Sequence, residues 1–419
     1  MLLKTLLNRV EKFNRFVVQA VAEEYVGSRP AIVFRLRARA RSRPICSGCG
    51  KPSAANGHQS LRYFQYVPLW GIPTYLAYAP RRVSCKQDGA VVEQLPWAEG
   101  KERLTKTFRV FLAQWARRLS WLETAQVFQT SWDSVVASVR YVVAYGLEHR
   151  SLDGITQAGI DEIAVYKGHS GYLTVVYQLN RGMRRLLWIG RDRTTETLNG
   201  FFEWFGLERT QSLEYICSDM WKPYLKSVRE HAKQALHILD RFHIMRNMNE
   251  ALDNVRKGEM RRLGKAGKGS VLYRSRWALL KRPENLSMTQ AARLSDLLRS
   301  TLSSVKAYLL KEEFQRFWEM RDPVSAEIFL ESWVKRVHRT KLRSMHWMAR
   351  KLEKHKPLIL NWFQADGELA MGAVEGLNLK AKLIIRKSYG FKSVENVELA
   401  LYHGLGRLPE PPTIHRFSG

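Results

Sequence analysis

The run Ile160-Asp161-Glu162-Ile163-Ala164-Val165-Tyr166 alternates with period two, and that parity puts Asp161 on the same face as Ile163 and Val165. A carboxylate on an apolar face is costly unless it is paired or bound to a metal. The chain is thereby restricted to folds that bring a partner to Asp161. After a turn around Gly168, Tyr172 to Tyr177 reads as an antiparallel return. Arg185 to Gly190 makes a third strand, and Arg193-Thr194-Thr195-Glu196 opens a helix through Phe205. Glu214 to Asp219 is a short apolar run with its acid at the carboxyl end, where open α/β sheets place their ligands. A helix from Pro223 to Ala232 and another run from Ala235 to Asp240 follow.

Three strands, a helix, then alternating strand and helix is the order of an α/β ribonuclease-H-like domain. In such a domain clustered acids hold two divalent cations, Mg²⁺ or Mn²⁺, that activate a water or 3′-hydroxyl at a phosphodiester. A helix beginning near Gly367 supplies a third acid, Glu375. On it Glu375, Asn378, Lys382 and Arg386 fall at i, i+3, i+7 and i+11, beside an apolar stripe of Val374, Leu377, Ala381 and Ile384. One face packs; the other offers a metal ligand and then cations for phosphates.

A lone Asp at a strand end is usually a turn or cap residue, so the surrounding text matters. Gly159-Ile160-Asp161-Glu162, Ser218-Asp219-Met220-Trp221-Lys222-Pro223-Tyr224, Leu239-Asp240-Arg241-Phe242-His243 and Glu375-Gly376-Leu377-Asn378 occur in that order. Together they closely resemble the motifs of the ISL-three family of bacterial insertion-sequence transposases, over nearly the whole chain. The resemblance implies a DDE triad on Asp161, Asp219 and Glu375, with Asp240 and His243 in a further family motif. It implies cutting at terminal inverted repeats, transfer of 3′-hydroxyl ends to target DNA, and a homo-oligomer that handles two ends. Met371 departs from the pattern, standing four residues before Glu375 where relatives often carry Asn.

Charge agrees with a polyanionic partner. Against 39 Asp and Glu stand 68 Lys and Arg, a formal charge of +29 and a pI of about 10.1, which favours double-stranded DNA over a membrane. No run approaches the length of a membrane span, and Met1 to Val18 intersperses Lys4, Arg9, Glu11, Lys12 and Arg15, unlike a signal peptide. With four cysteines, the expectation is a reducing bacterial cytoplasm, with association to the nucleoid.

Ahead of the acids, Arg35, Arg37, Arg39, Arg41 and Arg43 alternate with smaller or apolar residues, as a strand that would project all five toward a phosphate backbone; a solvated edge strand is the alternative. Cys46-Ser47-Gly48-Cys49-Gly50 can form a metal knuckle, and Cys85 lies beyond two strands, Leu61 to Pro68 and Thr74 to Tyr78. For a fourth zinc ligand the candidates are Asp88, where the resembling family has Cys or His, and His58; a weakened site or a metal-free packed segment is the alternative. Leu119-Ser120-Trp121-Leu122-Glu123 holds a capping box for a helix to about Phe128. Ser131 caps a second helix from Trp132, with Val135, Val136 and Val139 inward. This pair suggests a helix-turn-helix presenting Ser134, Ser138 or Arg140 to a groove.

Between the second and third acids, Arg261 to Gly269 reads as a basic loop. Helices run from Met288 to Met320 and from Val324 to Lys354, with Trp318, Trp333 and Trp347 as core residues. So long a segment must be a helical subdomain rather than a loop. The expected order is thus an N-terminal helix and basic strand (1–44), a zinc-binding-type segment (45–98), a helix-turn-helix segment (99–150), the ribonuclease-H-like domain (151–258), a helical basic insertion (259–360), the third-acid helix (361–405) and a mobile tail (406–419). Two other readings share these features: a DNA-binding regulator or retired transposase whose acids only cap strands, and a metal nuclease that cuts without joining.

Overall fold

Arg29–Ala38, β2, buries Ala31, Val33, Phe34 and Leu36 and leaves Arg35 and Arg37 exposed in the first sheet. The computed structural model describes residues 2–11, 13–165, 171–263, 271–365, 372–388, 390–391 and 393–412. They fall into two compact units, Met1–Ser151 with Lys380–Gly419, and Leu152–Leu379. The turn at Gly168, the loop at 264–270, and Gly367 and Met371 lie outside the described residues.

In the first unit, helix α1 (Leu3–Val10) precedes β1 (Phe16–Val26), which pairs antiparallel with β2. A small sheet, β3-β6-β7, is built from β3 (Ala54–His58), β6 (Arg81–Cys85) and β7 (Gly89–Val92). The larger sheet adds β4 (Arg62–Leu69) and β5 (Ile72–Tyr78) in the order β1-β2-β5-β4. Its core closes on fully buried Trp97, whose indole meets Phe13, Phe16, Phe64 and Tyr78 edge-on at 4.8–6.0 Å. The arginine comb is shorter than the sequence suggests. Arg35 and Arg37 stand on β2, but the strand ends at Ala38 and Arg41 turns the chain with φ of 65°. Arg39, Arg41 and Arg43 are exposed beyond it, so the five do not share one strand face. Arg35 is also paired with Glu24 at 2.9 Å.

Three helices follow, α2 (Lys106–Ala116), α3 (Trp121–Val127) and α4 (Trp132–His149). The capping box is present, with Ser120 Oγ accepting from the Glu123 amide at 3.2 Å and Glu123 accepting from the Ser120 amide at 2.8 Å. Ser131 caps α4, and Val135, Val136, Val139, Val142 and Val143 are buried.

The second unit opens with β8 (Gln157–Ala164), β9 (Tyr172–Gln178) and β10 (Arg185–Arg191), then α5 (Thr195–Phe205), α6 (Leu207–Gln211), β11 (Tyr215–Ser218), α7 (Lys222–His231) and β12 (Leu236–Leu239). The sheet runs β10-β9-β8-β11-β12, antiparallel through the first three strands and parallel from β8 to β12. Ala158, Ile160, Val176 and Ile216 turn one face into a core with Leu198, Phe201, Phe205, Tyr224 and Val228 of α5 and α7.

From α8 (Arg241–Arg262) the chain is helical: α9 (Arg276–Leu280), α10 (Met288–Leu298), α11 (Ser303–Gln315), α12 (Pro323–His338), α13 (Arg343–Lys354) and α14 (Lys356–Gln364). Both long helices expected here are interrupted, before Ser303 and after His338. A 3-10 turn, Arg316–Glu319, also follows α11. This lobe has its own core, which includes Met248, Leu252, Phe314, Phe317, Trp333, Met345 and Phe363. Trp333 is fully buried and Trp318 partly so, but Trp347 is 51% exposed and is not a core residue.

Helix α15 (Gly372–Lys387) crosses the division between the units, and α16 (Val394–Leu405) packs on α4. The segment after α16, expected to be mobile, is tied down as far as Glu410, which accepts from Arg117 Nη1 and from Gln114 Nε2 at 2.8 Å. Among the described residues no helix is long and apolar enough to cross a membrane.

Candidate active site

Parallel register places the acids. Gly159 of β8 pairs with Cys217 of β11, and Cys217 pairs with Ile238 of β12. Asp161, Asp219 and Asp240 each follow two residues later, so they line up on one face of three adjacent strands, toward their carboxyl ends. The Asp240 amide donates to Ser218 O at 2.8 Å, carrying the alignment one step past the strands. Asp240 then caps α8 by accepting from the Phe242 amide at 2.8 Å, and Asp219 accepts from the Trp221 amide at 2.8 Å.

Helix α15 lies against this face. A Cβ on Gly159 would stand 2.7 Å from Val374 Cγ2 and 2.9 Å from Leu179 Cδ1, so only glycine admits the helix so closely. Asn378 of α15 donates its side-chain amide to Asp161 Oδ2 and accepts from the Tyr177 hydroxyl at 2.7 Å. The other Asp161 oxygen accepts from the Glu162 amide at 2.7 Å. Glu375, one turn earlier on α15, is exposed and near enough to Asp240 and His243 to act on both electrostatically.

Burial pushes the Asp161 carboxyl up to about 6, against hydrogen bonds from the Glu162 amide and Asn378 and the charge of Arg246. Burial likewise raises Asp240 to about 7, with the charges of Asp161, Glu375 and Asp219 adding to the effect. Asp219 is raised for the same first reason, with His243 opposing. His243 sits between acids, Nε2 4.0 Å from Asp161 Oδ1 and Nδ1 3.9 Å from Asp240 Oδ2. Both distances exceed a hydrogen bond. Its Nδ1 is buried without a hydrogen-bond partner among the described residues, and burial lowers its basicity. Carboxylate oxygens are the donors that Mg²⁺ and Mn²⁺ take, and Asp161, Asp219 and Asp240 are the acids this register brings to one side of the sheet.

The sequence gives no hint of the bridge from Tyr177 through Asn378 to Asp161. Gly159, an inward glycine inside a strand, is a signal of close approach that can be read. Lys382 and Arg386 are exposed on the later turns of α15.

In the first unit Cys46, Cys49, Cys85 and Asp88 place one ligand atom each within 4.8 Å of one another. Asp88 Oδ2 is 3.1 Å from Cys46 Sγ and 3.4 Å from Cys85 Sγ, and Cys49 Sγ is 3.5 Å from Cys85 Sγ. His58 is outside the cluster, on β3 opposite Arg81. Gly48 is what lets Asp88 in, since a Cβ there would be 2.7 Å from Asp88 Cγ. Three sulfurs and one carboxylate suit a four-coordinate zinc. On α4, Arg140 is exposed and Ser134 half-buried, its Oγ 2.9 Å from Ser131 Oγ. Ser138, expected to face a groove, is instead buried and donates to Ser134 O at 2.7 Å.

Comparison with known proteins agrees with the family resemblance. The chain is 27% identical over 354 residues to the transposase for insertion sequence element IS1001 of Bordetella parapertussis, covering 84% of this chain and 86% of that protein. It is also 27% identical over 419 residues to the transposase for insertion sequence element IS1557 of Mycobacterium tuberculosis, covering 94% and 93%. A sequence profile of the ISL3 transposases matches residues 158–401, the span that contains every acid of the site. The chain belongs to the ISL3 family of transposases.

Proposed function

We propose that this chain cuts DNA at the terminal inverted repeats of a bacterial insertion sequence and joins the freed 3′-hydroxyls to target DNA, with Asp161, Asp219 and Glu375 as the metal-holding triad. The observation that carries this reading is the register of Asp161 beside Asp219 under the helix that bears Glu375. The strand order with three antiparallel and two parallel strands supports a ribonuclease-H-like domain for the second unit. Two Mg²⁺ or Mn²⁺ ions, when bound, would supply a water or 3′-hydroxyl of lowered pKa and stabilise the leaving oxygen. Asp161 and Asp219 hold their carboxylates side by side, Asn378 fixes the orientation of Asp161, and Tyr177 fixes Asn378. Lys382 and Arg386 neutralise phosphates of the bound strand.

In the first unit, Cys46, Cys49, Cys85 and Asp88 would hold a structural zinc. The α3–α4 pair is a helix-turn-helix that reads terminal repeats with Ser134 and Arg140. The exposed arginines from Arg35 to Arg43 add backbone contacts. Two ends cut in concert call for a homo-oligomer, and DNA of the bacterial nucleoid in the cytoplasm is the place of action.

The test is cleavage of labelled DNA carrying the element's own ends, in Mg²⁺ or Mn²⁺, by the natural chain and by Glu375→Gln. Nicking at the repeat boundary that is lost in the variant while binding survives is the expected result. Binding without cleavage in either protein would favour a regulator, and equal cleavage in both would remove Glu375 from the triad.

A further inference from the structure

We propose that a groove between α7 and the corner where α13 meets α14 holds the sugar-phosphate backbone of the target DNA, the second duplex of the joining reaction; the proposal rests on the cutting-and-joining reading of the acid face. The groove measures about 530 Å³ and lies wholly within the second unit. Lys222, Lys226, Arg229 and Lys233 form one wall, and Lys354 and His355 the other. No Asp or Glu is among the described residues that line it. The lysines and the arginine are exposed, and none of them makes an ion pair among the described residues. Glu196 feels Lys226 only through space.

The cations on α7 form a stripe. Lys222, Lys226 and Arg229 stand at i, i+4 and i+7, on one side of the helix, over about 10 Å of its axis. Like charges four residues apart weaken a helix, and a cation in the first turn opposes the helix dipole. Helix α7 carries both, with no acid in its first turn. A polyanion laid along the stripe offsets both. One strand of DNA presents a charge about every 3.4 Å along the duplex axis, so the stripe meets about three successive phosphates. Lys233 extends the row past the end of the helix, and Lys354 approaches from the opposite wall.

Position says which DNA. Lys222 follows Asp219 by three residues, so their Cα atoms are at most about 11 Å apart. His237, which also lines the groove, has Nε2 2.8 Å from Ser218 Oγ, and that hydroxyl donates to Asp219 O at 2.9 Å. The groove therefore opens beside the acids. Yet α7 packs through Tyr224 and Val228 on the sheet face of Ala158 and Ile160, whereas α15 packs on the face of Gly159. In the proposed reaction the cleaved strand lies along Lys382 and Arg386 of α15, so a backbone along α7 reaches the acids from the other side of the sheet. On joining, the donor 3′-hydroxyl gives up its proton and bonds to the target phosphorus, and the target's own 3′-oxygen leaves and takes up a proton. In-line displacement puts the attacking and leaving oxygens on opposite sides of phosphorus. Two duplexes held on opposite faces of the sheet meet that requirement.

The test compares the full-length chain with Lys226→Gln/Arg229→Gln, two exposed changes on one wall, and with Lys354→Gln on the other. Joining of a pre-cut terminal-repeat duplex into a plasmid, in Mg²⁺ at about 0.1 M salt, should fall about 10–100-fold in the double variant. Lys354→Gln should act in the same direction by less. Nicking of the repeats, which does not use the groove, should keep its rate. A duplex of unrelated sequence should bind the chain carrying the pre-cut end, with Ca²⁺ replacing Mg²⁺, with a shallower salt dependence in the double variant. The log–log slope should shrink by about 1.8 for two lost phosphate contacts. A general loss of folded protein would lower nicking as well and leave that slope as it is. Joining and slope both unchanged overturn the proposal and leave the cutting reading standing, with the groove left to an acidic protein segment or to solvent. Equal losses of nicking and joining at an unchanged melting temperature give the groove to the cleaved end and overturn its assignment to the target. A natural chain that nicks without joining also overturns that assignment, and one that does neither overturns the cutting reading with it.

Discussion

Asn378 donates to Asp161 across 217 residues of sequence, and its own carbonyl accepts from Tyr177, so the carboxylate in the middle of the sheet is aimed by the helix that also carries Glu375. Asn378→Leu keeps the volume and removes both bonds. Asp161 then loses a donor that lowers its pKa, and Tyr177 is left with a buried hydroxyl. Loss of such an orienting partner typically costs 10–100-fold, so nicking should fall by about that factor and need more Mg²⁺. Nicking rate against Mg²⁺ concentration is the measurement. An unchanged curve would show that Asp161 is aimed without Asn378.

The metal-free protein should lose stability as pH rises through the acid range, opposite to an ordinary salt-bridged carboxylate. An unfolded aspartate titrates near 3.8, whereas burial lifts Asp161 to about 6 and Asp240 to about 7. Between those values the folded chain holds more protons than the unfolded one, so the slope of stability with pH is negative there. Below about pH 4 the penalty is absent, and above about pH 7 it is complete. At about 1.4 kcal/mol per unit it amounts to several kcal/mol for the pair. Mg²⁺ should remove it, so the rise in Tm on adding Mg²⁺ should be larger near pH 8 than near pH 5. Equal rises at both would show that the acids are not the Mg²⁺ site.

For the cysteine cluster the prediction concerns zinc itself. Gly48→Ala drives a Cβ into Asp88 and should displace the fourth ligand while sparing the three sulfurs. Asp88→Cys restores a four-sulfur set. Zinc affinity, read by competition with a chelator, should fall in Gly48→Ala and rise in Asp88→Cys. Chelation of the natural protein should lower the melting temperature of the first unit. If Asp88→Ala holds zinc as tightly as the natural chain, the ligand is another group.

What could be read in the sequence is what short-range periodicity carries. Asp161 and Asp219 stand out because period two and a carboxyl-end position are local. The inward Ser138 was missed, although it stands three residues after Val135 on an arc that continues to Val142. Strand β1 was not legible, because its pairing with β2 decides it and the run from Phe16 to Val26 contains Gln19, Glu23 and Glu24. The end of the arginine strand rests on Arg41 at positive φ, a conformation arginine does not advertise. The partner of Asn378 lies 201 residues away in Tyr177, beyond any pattern of spacing.

Gly159 sets the distance of α15 from the sheet, and altering it should damage the site more than the fold. Gly159→Ala places a methyl 2.7 Å from Val374 Cγ2 and 2.9 Å from Leu179 Cδ1, on the face that carries Asp161. Overpacking of this sort costs about 1–3 kcal/mol, and here the relief available is outward movement of the helix bearing Glu375 and Asn378. Cleavage should therefore drop by more than the loss of folded protein explains, with the Mg²⁺ requirement raised. Adding Val374→Ala removes the methyl that is struck, and the double variant should regain part of both stability and cleavage, a coupling expected of touching residues. Gly258→Ala serves as the control, because nothing lies within 4 Å of its Cβ on α8; it should stabilise by roughly 0.5–1 kcal/mol. Thermal melts and nicking rates on the four proteins decide the matter. Recovery of stability without recovery of cleavage would mean that α15 seats correctly without delivering Glu375 to the acids.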